Sequence, residues 1–226
     1  MARNIYQIYQ LYQYILRKQV GVFSTDTEFN DNINAGGLDC IQEWFEPYGT
    51  TNNLHDALLN LRKRHQFTSD GGGIVIFPSD YLHLLGTPYT VTGSTVNEIH
   101  FVQDSELPFA LKSQLRPVSN SYPIATDWAN EVGGVATTIQ KGFMIYPQQV
   151  QIGFFFYLKL PTPMQLVYTQ VGRVITYDST NSVQPYFADV YMNHVLARAL
   201  WYAGVSMSEQ EVSNFAVQYN EATKQG

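Results

Sequence analysis

The spacing of apolar residues changes twice along this chain of 226 residues. In residues 1–70 apolar side chains recur every three or four positions, in 71–180 they alternate in short runs, and in 181–226 the wider spacing returns. A period near 3.6 is typical of amphipathic helices, and a period of 2 is typical of half-buried strands. The pattern therefore predicts an α+β fold in which N- and C-terminal helices flank a mixed, mainly antiparallel β region. Because no linker-like run separates the three parts, we predict a single domain, 1–226.

The first helix is predicted from the stretch IYQIYQLYQYIL, residues 5–16, which contains three successive triplets of an aliphatic residue, a tyrosine and a glutamine. At about 100° per residue, one arc of the helix carries Ile5, Ile8, Tyr9, Leu11, Tyr12, Ile15 and Leu16. The opposite side carries Gln7, Gln10, Gln13, Tyr6 and Tyr14, so it is polar but nearly uncharged. Two interpretations remain open: an ordinary core-packing helix, or a helix whose outer face is covered by a second protein.

Two further helices are predicted in the N-terminal part. Thr25 and Glu28 have the spacing of a capping box, which starts a helix with apolar residues at steps of four. A glycine pair at 36–37 interrupts this helix, and each glycine costs roughly 1 kcal/mol relative to alanine, so we expect a kink or two short helices. A third helix, capped by Asn53, is predicted to end in the basic cluster 62–65, because cations favour a helix C-terminus. The alternative interpretation of this cluster is a local contact with an acidic neighbour or with nucleic acid.

The central region is predicted to combine strands, hairpins and two short helices. Its strongest strand pattern is QIGFFFYLKL, residues 151–160, in which side chains alternate between two faces. Prolines at 161 and 163 end that strand. The other predicted elements are a strand at 74–77, a helix at 78–85, a hairpin at 89–102, a helix at 104–115 and a hairpin at 165–177.

Two helices are predicted at the C-terminal end. Pro185 suits the first turn of one helix, and Gly204 has the position of the residue that stops it. Ser208 and Glu211 have the spacing of a second capping box, which starts the final helix. The apolar residues of that final helix are Val212, Phe215, Ala216 and Tyr219.

The charge of the chain limits its partners. Charged residues make up 14% of the sequence, well below the roughly 25% of ordinary domains, while aromatic residues also make up 14%. Interfaces favour aromatic residues and deplete Lys and Glu, so this composition suits a surface covered by copies of the chain or by partners. With 13 basic and 19 acidic residues the net charge is −6, which provides no global basic field for nucleic acid. DNA binding is therefore not expected as the main activity.

Cysteine use and hydropathy bear on the compartment. The lone Cys40 cannot form a disulfide within the chain, and its expected role is that of a small buried hydrophobic residue. The polar residues at every third position of 5–16 exclude a membrane span there, and this segment fits a secretory signal poorly. We expect synthesis and folding in a reducing cytoplasm.

Patterns that would indicate catalysis are weak. The five histidines do not cluster, the pair His55-Asp56 lacks the further ligands of a metal site, and no Gly-x-Ser-x-Gly motif occurs. The glycine run 71–73 precedes a strand and is not followed by Gly-Lys-Ser/Thr, so it does not match a phosphate-binding loop. Glu43 and Glu46 are interpreted as solvated charges on a helix flank, and His194 as a core histidine with a partner. We predict no catalytic, cofactor-binding or metal-binding residues, and hence no enzyme.

Several stretches together resemble a known group of proteins. They are EFNDNIN at 28–34, FPSDYLHLL at 77–85, LKSQLRPVSNSYPI at 111–124, MIYPQQV at 144–150, YLKLPTP at 157–163 and LWYAGVSMSEQEVSNFAVQYNE at 200–221. Through them the chain resembles virion structural proteins of tailed bacteriophages that infect Bacteroidetes. In particular, it resembles ring or adaptor proteins of the head-to-tail connector in crAss-like phages.

This resemblance implies a role in the virion neck, after assembly in the host cytoplasm. The expected structure is a twelve-fold ring that lies under the portal protein and above further ring or tail proteins. The genome would pass through it, with non-specific contact to DNA and none to membrane. The resemblance carries no catalytic residues and no cofactor. Within such a ring we predict that the first and last helices lie at subunit or ring-to-ring contacts. The predicted interface residues are Tyr6, Ile8, Tyr9, Leu11, Tyr12, Val212, Phe215 and Tyr219.

Two other classes of function remain open from the sequence. Surface tyrosines and tryptophans also suit a carbohydrate- or receptor-binding module of a virion. An enzyme of unrecognised type would require His, Cys or carboxylate side chains that are distant in sequence to converge in a pocket.

Overall fold

The computed structural model confirms the α+β class and divides the chain into two compact units. The terminal unit comprises Met1–Asn60 and Pro161–Gly226, and the central unit comprises Leu61–Leu160. The structure describes residues 3–48, 54–132, 138–149, 151–171 and 174–224. The predicted cap Asn53 lies outside the described residues.

The terminal unit is built mainly from helices. They are α1 (Ile5–Gln19), α2 (Asp26–Phe45), a 3₁₀ helix (Asp56–Leu61) that runs to the start of the central unit, α4 (Asp189–Tyr202) and α5 (Glu209–Lys224). The predicted capping box of α2 is confirmed, since Thr25 and Glu28 bond reciprocally at its first turn. Gly204 follows α4 with a φ of 83°, as predicted for the residue that stops a helix. Pro185 does not lie in the first turn, because α4 begins at Asp189.

The predicted interruption of α2 at its glycine pair is wrong, because the helix runs unbroken from Asp26 to Phe45. Gly36 faces the backbone of α4 at very close range. A Cβ atom at Gly36 would lie 2.8 Å from the amide nitrogen of Ala199 and 3.0 Å from the carbonyl oxygen of Val195. The glycine therefore permits two helix backbones to approach, and this packing offsets its low helix propensity.

An extended segment and a hairpin complete the terminal unit. The hairpin consists of β9 (Tyr168–Val171) and β10 (Val174–Tyr177), as the sequence predicted. The segment before it is held by two asparagines one turn apart on α2. Asn34 pairs with both backbone groups of Met164, at 2.7 and 2.8 Å, and Asn30 pairs with both backbone groups of Leu166, at 2.8 and 3.3 Å. The two side-chain amides thus satisfy one edge of this segment, while on the other edge Gln165 forms an antiparallel bridge with Val183.

The central unit contains two four-stranded sheets. One sheet has the order β1 (Arg62–Thr68), β8 (Ile152–Lys159), β3 (Tyr81–Thr92), β4 (Thr95–Glu98), and all its pairs are antiparallel. The other has the order β2 (Ile74–Ile76), β7 (Thr138–Tyr146), β6 (Ile124–Val132), β5 (His100–Phe101), in which only the pair β5–β6 is parallel. Buried residues from both sheets form one core, which includes Phe67, Val75, Ala125, Phe143, Ile145, Phe155 and Tyr157.

Two segments predicted as helix are strands. The basic cluster 62–65 belongs to β1, which pairs with β8 from Arg62 opposite Leu158 to Thr68 opposite Ile152. Residues 81–85, predicted as a short helix, begin the long strand β3. In both cases pairing with a strand about 70 to 95 residues away overrides local preference. The predicted helix at 104–115 is shorter than expected, since α3 covers only Leu107–Leu111.

Candidate interaction surfaces

Half of the predicted interface residues lie in the core of the terminal unit. Ile8, Leu11, Tyr12 and Val212 are at most 2% exposed. Tyr12 packs edge-on against Phe29, with ring centroids 5.2 Å apart. Six of the seven residues on the apolar face of α1 are therefore buried within its own chain, and Tyr9 is the exception.

The other four predicted residues are half-buried, and each contacts aromatic rings of the same unit. Tyr6 stacks on Tyr177 of β10, with ring centroids 5.3 Å apart. Tyr9 lies 5.1 Å from Phe29 and 6.1 Å from Tyr168 by the same measure. Phe215 and Tyr219 pack on Tyr14, at centroid distances of 6.3 and 5.4 Å. The tyrosine-rich side of α1 is thus contacted by the hairpin and by α5, and the chain itself supplies most of the covering surface.

Large apolar side chains are exposed on both units, and the most exposed one among the described residues, Leu115, lies in the central unit. We call residues 107–115 the apolar segment; it contains α3 and the turn that follows. Leu115 is 97% exposed and Phe109 is 79% exposed, while Leu111 is nearly half exposed. Leu107, Leu111 and Leu115 recur at steps of four, and the sequence predicted a helix here at 104–115. That prediction did not identify the segment as an exposed surface, although its excess of apolar residues beside prolines 108 and 117 was a usable signal.

A second exposed surface combines arginines with aromatic rings. We call it the arginine face: Arg62, Arg64, Tyr89, Phe154 and Phe156, all on the sheet that contains β1 and β8. The guanidinium carbon of Arg64 lies 3.9 Å from the ring centroid of Phe154, and that of Arg62 lies 4.5 Å from the centroid of Phe156. Tyr89 packs beside Phe154 at a centroid distance of 5.7 Å. Both arginines are exposed, and within the described part of the chain neither forms an ion pair.

The other side of β1 carries a polar cluster with a structural role. The Lys63 ammonium lies 2.9 Å from one oxygen of Asp80, and the hydroxyl of the buried Tyr157 donates to the other oxygen at 2.8 Å. Partial burial alone would raise the pKa of the Asp80 carboxyl, but hydrogen bonds from Lys63 and Tyr157 hold that pKa below its ordinary value. Burial and the carboxylate raise the pKa of Tyr157. The three groups keep their ordinary charges at neutral pH. Their contacts therefore stabilise the packing of β1 and β8 against Asp80, the residue directly before β3.

An open groove runs along α2 in the terminal unit. It has a volume of about 470 Å³ and is lined by α2 on one side and residues 163–168 on the other. Asn30 and Asn34 are used in holding that segment, whereas Asp26 and Asp31 line the groove without an ion pair to any described cation. We call this the carboxylate groove.

The titratable groups named in the sequence analysis are dispersed. His55 stacks on Trp44 with ring planes 7° apart. Among the described residues, the pair His55-Asp56 belongs to no group of three potential metal ligands. His194 is only half-buried and lies 3.3 Å from Glu43, which also accepts a hydrogen bond from Arg198 at 2.5 Å. Glu43 is therefore exposed, as the sequence indicated, and it is also paired with Arg198 and His194. Among the described residues no group of three or more His, Cys, Asp or Glu is placed to hold a metal ion.

Comparisons with known proteins give no family assignment. No protein-family model matches the sequence, and no curated protein matches it with significant similarity. In the part of the chain that the structure describes, no helix is long and apolar enough to cross a membrane.

Proposed function

We propose that this protein is a virion structural protein, a subunit of an oligomeric neck ring that joins the portal to the tail of a tailed bacteriophage. The ring would form part of the passage for the genome, and the proposal assigns no catalysis to the chain. The observation that carries it is the apolar segment, which presents Phe109 and Leu115 outside the core of the central unit. The resemblance in sequence supplies the type of assembly.

The apolar segment favours association because exposed apolar area is costly in water. Fully burying a Leu or Phe side chain gains roughly 1.5–3 kcal/mol. Each subunit that covers the apolar segment of its neighbour therefore makes the free energy of association more favourable. Exposed apolar patches on folded chains typically mark sites of protein association. The expected occupant is a neighbouring copy of this chain, since the same contact repeated around a closed ring buries every segment.

The distribution of charge supports contact between copies. The central unit contains seven of the 13 basic and seven of the 19 acidic residues, so it carries no net charge. Copies that meet through this unit do not repel one another by net charge. The terminal unit carries the whole net charge of −6, which suits a passage that does not bind the moving genome tightly.

The test is the mass of the purified protein by light scattering, alone and with purified portal protein. A multi-subunit ring, or one that forms only with portal, is the expected result. A chain that stays monomeric and ignores portal would overturn the proposal in favour of a carbohydrate- or receptor-binding module. Binding of the isolated protein to a glycan array would then support that alternative.

A paired set of variants tests whether the apolar segment makes the contact. Phe109→Ser with Leu115→Ser should raise the protein concentration needed for half-assembly by about tenfold or more, because the buried apolar area is lost. The control, Leu59→Ser with Val190→Ser, removes two exposed apolar side chains from other places. Equal assembly of the two variants would show that the segment is not the contact.

A further inference from the structure

We propose that the arginine face of one subunit binds the carboxylate groove of a neighbouring copy, so that each chain supplies both halves of a head-to-tail contact. This inference rests on the proposed ring and specifies a contact within it. A head-to-tail contact is heterologous, and it closes into a ring when the rotation between subunits permits.

The arginine face is arranged to donate hydrogen bonds outward. Arg62 and Arg64 lie over the rings of Phe156 and Phe154, and this stacking limits the rotamers of two long side chains. A stacked guanidinium keeps its edge N–H groups available, and these match the two oxygens of a carboxylate. Because the arginines form no ion pair with described residues of their own chain, their charge is available to a partner.

The carboxylate groove has the matching chemistry. Asp26 and Asp31 line it and form no ion pair with a described cation, whereas Asp39, Glu43 and Asp189 are engaged within the unit. Residues five apart on a helix are separated by about 7.5 Å along its axis and by about 140° around it. Asp26 and Asp31 therefore face different directions from α2, and each is an acceptor for one guanidinium of the arginine face.

The pattern of charge favours a second copy of this chain over nucleic acid. Proteins that hold a single strand track its phosphates with a groove of several cations. Here the neighbouring Lys63 lies on the other side of β1 and is paired with Asp80. The central unit has no net charge, while the terminal unit of each copy carries −6. The acidic terminal unit of a neighbouring copy is therefore the partner whose charge complements the arginine face.

The experiment is a charge reversal on the full chain. Arg64→Glu and Asp31→Lys, each alone, should raise the half-assembly concentration by about tenfold or more, because like charges then face each other. An equimolar mixture of the two variants should restore assembly to near the wild-type value. Since the two substitutions lie on different chains, recovery in the mixture comes only from a contact between chains. Lys141→Glu is the matched control, an exposed cation on a strand of the same unit, and should leave assembly unchanged.

The outcomes separate this inference from the ring proposal. If wild-type protein assembles and Arg64→Glu assembles equally well, the ring stands and the arginine face is not its contact. Two variants that show wild-type circular dichroism yet fail to recover when mixed would also overturn the inference. A labelled single-stranded oligonucleotide that binds wild type but not Arg64→Glu, with assembly unchanged, would assign the face to nucleic acid instead. A wild-type chain that stays monomeric with and without portal would overturn both proposals.

Discussion

The terminal and central units differ in what most of their aromatic residues contact. In the terminal unit, the tyrosines of α1 lie against Phe29, Tyr177 and the side chains of α5, so they stabilise the unit from within. In the central unit, a closed core of phenylalanines coexists with exposed Phe109 and with rings that support arginines. An amphipathic stripe therefore does not by itself identify a partner surface. In this chain exposed apolar residues occur in both units, including Val190 and Trp201 on a helix of the terminal unit.

Charge separates the two units in the same way. The terminal unit carries all the net negative charge, and several of its carboxylates are paired within it, including Asp189 with Arg3 and Glu43 with Arg198. The central unit is neutral overall but presents two arginines without ion pairs to described residues.

Phe155→Ala should lower the free energy of unfolding by about 3–5 kcal/mol, because a fully buried ring leaves a cavity. Phe155 is 0% exposed and contacts the rings of Phe67, Phe143 and Tyr157. Urea denaturation followed by circular dichroism and tryptophan fluorescence measures the change. A loss below about 1 kcal/mol would show that the central core does not depend on this cluster.

Asp80→Ala should cost about 1–3 kcal/mol, because the buried hydroxyl of Tyr157 loses its acceptor. The stability that the Asp80 carboxylate supplies also depends on pH. Its pKa is lowered in the folded chain, so this stability is present above the ordinary carboxyl range near pH 4 and is lost as pH falls through the lowered pKa. The difference in unfolding free energy between wild type and Asp80→Asn should therefore shrink as pH falls. A difference that grows on acidification would contradict the stabilising role of the Asp80 carboxylate.

Gly36→Ala should destabilise the terminal unit by about 1–2 kcal/mol. The added methyl group would press on the backbone of α4, and this overpacking exceeds the gain in helix propensity. Gly71→Ala is the control, because a Cβ there meets nothing within 4 Å, and it should change stability by less than about 0.5 kcal/mol. Thermal melts compare the two. If Gly36→Ala were more stable than wild type, α2 and α4 would be able to move apart without a loss of packing energy.

Leu115→Ser should have the smallest effect on folding, within about 0.5 kcal/mol of wild type, because the side chain is almost fully exposed. Its effect should appear in light scattering, as weaker association at equal concentration. If Leu115→Ser lost stability but associated as well as wild type, the apolar segment would contribute to folding and not to association.

Much of the local structure was predictable from the sequence. The α+β class, the capped start of α2, the stop at Gly204, strand β8 and the hairpin of β9 and β10 are confirmed. These features depend on hydrogen bonds and side-chain preferences over a few neighbouring residues, which a single sequence records. The candidate surfaces were less predictable. Arg62 and Arg64 were interpreted chiefly as the end of a helix, with contact to an acidic neighbour or nucleic acid as the alternative, and residues 104–115 were predicted as a helix without an exposed apolar surface.

The sequence by itself determined where helices are capped and which short runs alternate as strands, because those preferences act within one turn or one hairpin. Only the tertiary structure decided that residues 62–68 pair with β8 about 90 positions later, and that Gly36 allows α2 to approach α4. It also decided that the tyrosines of α1 contact other parts of the same chain, whereas Leu115 is exposed to solvent. Burial depends on which distant surfaces meet, and the free energy of those contacts exceeds the local preferences that a sequence displays.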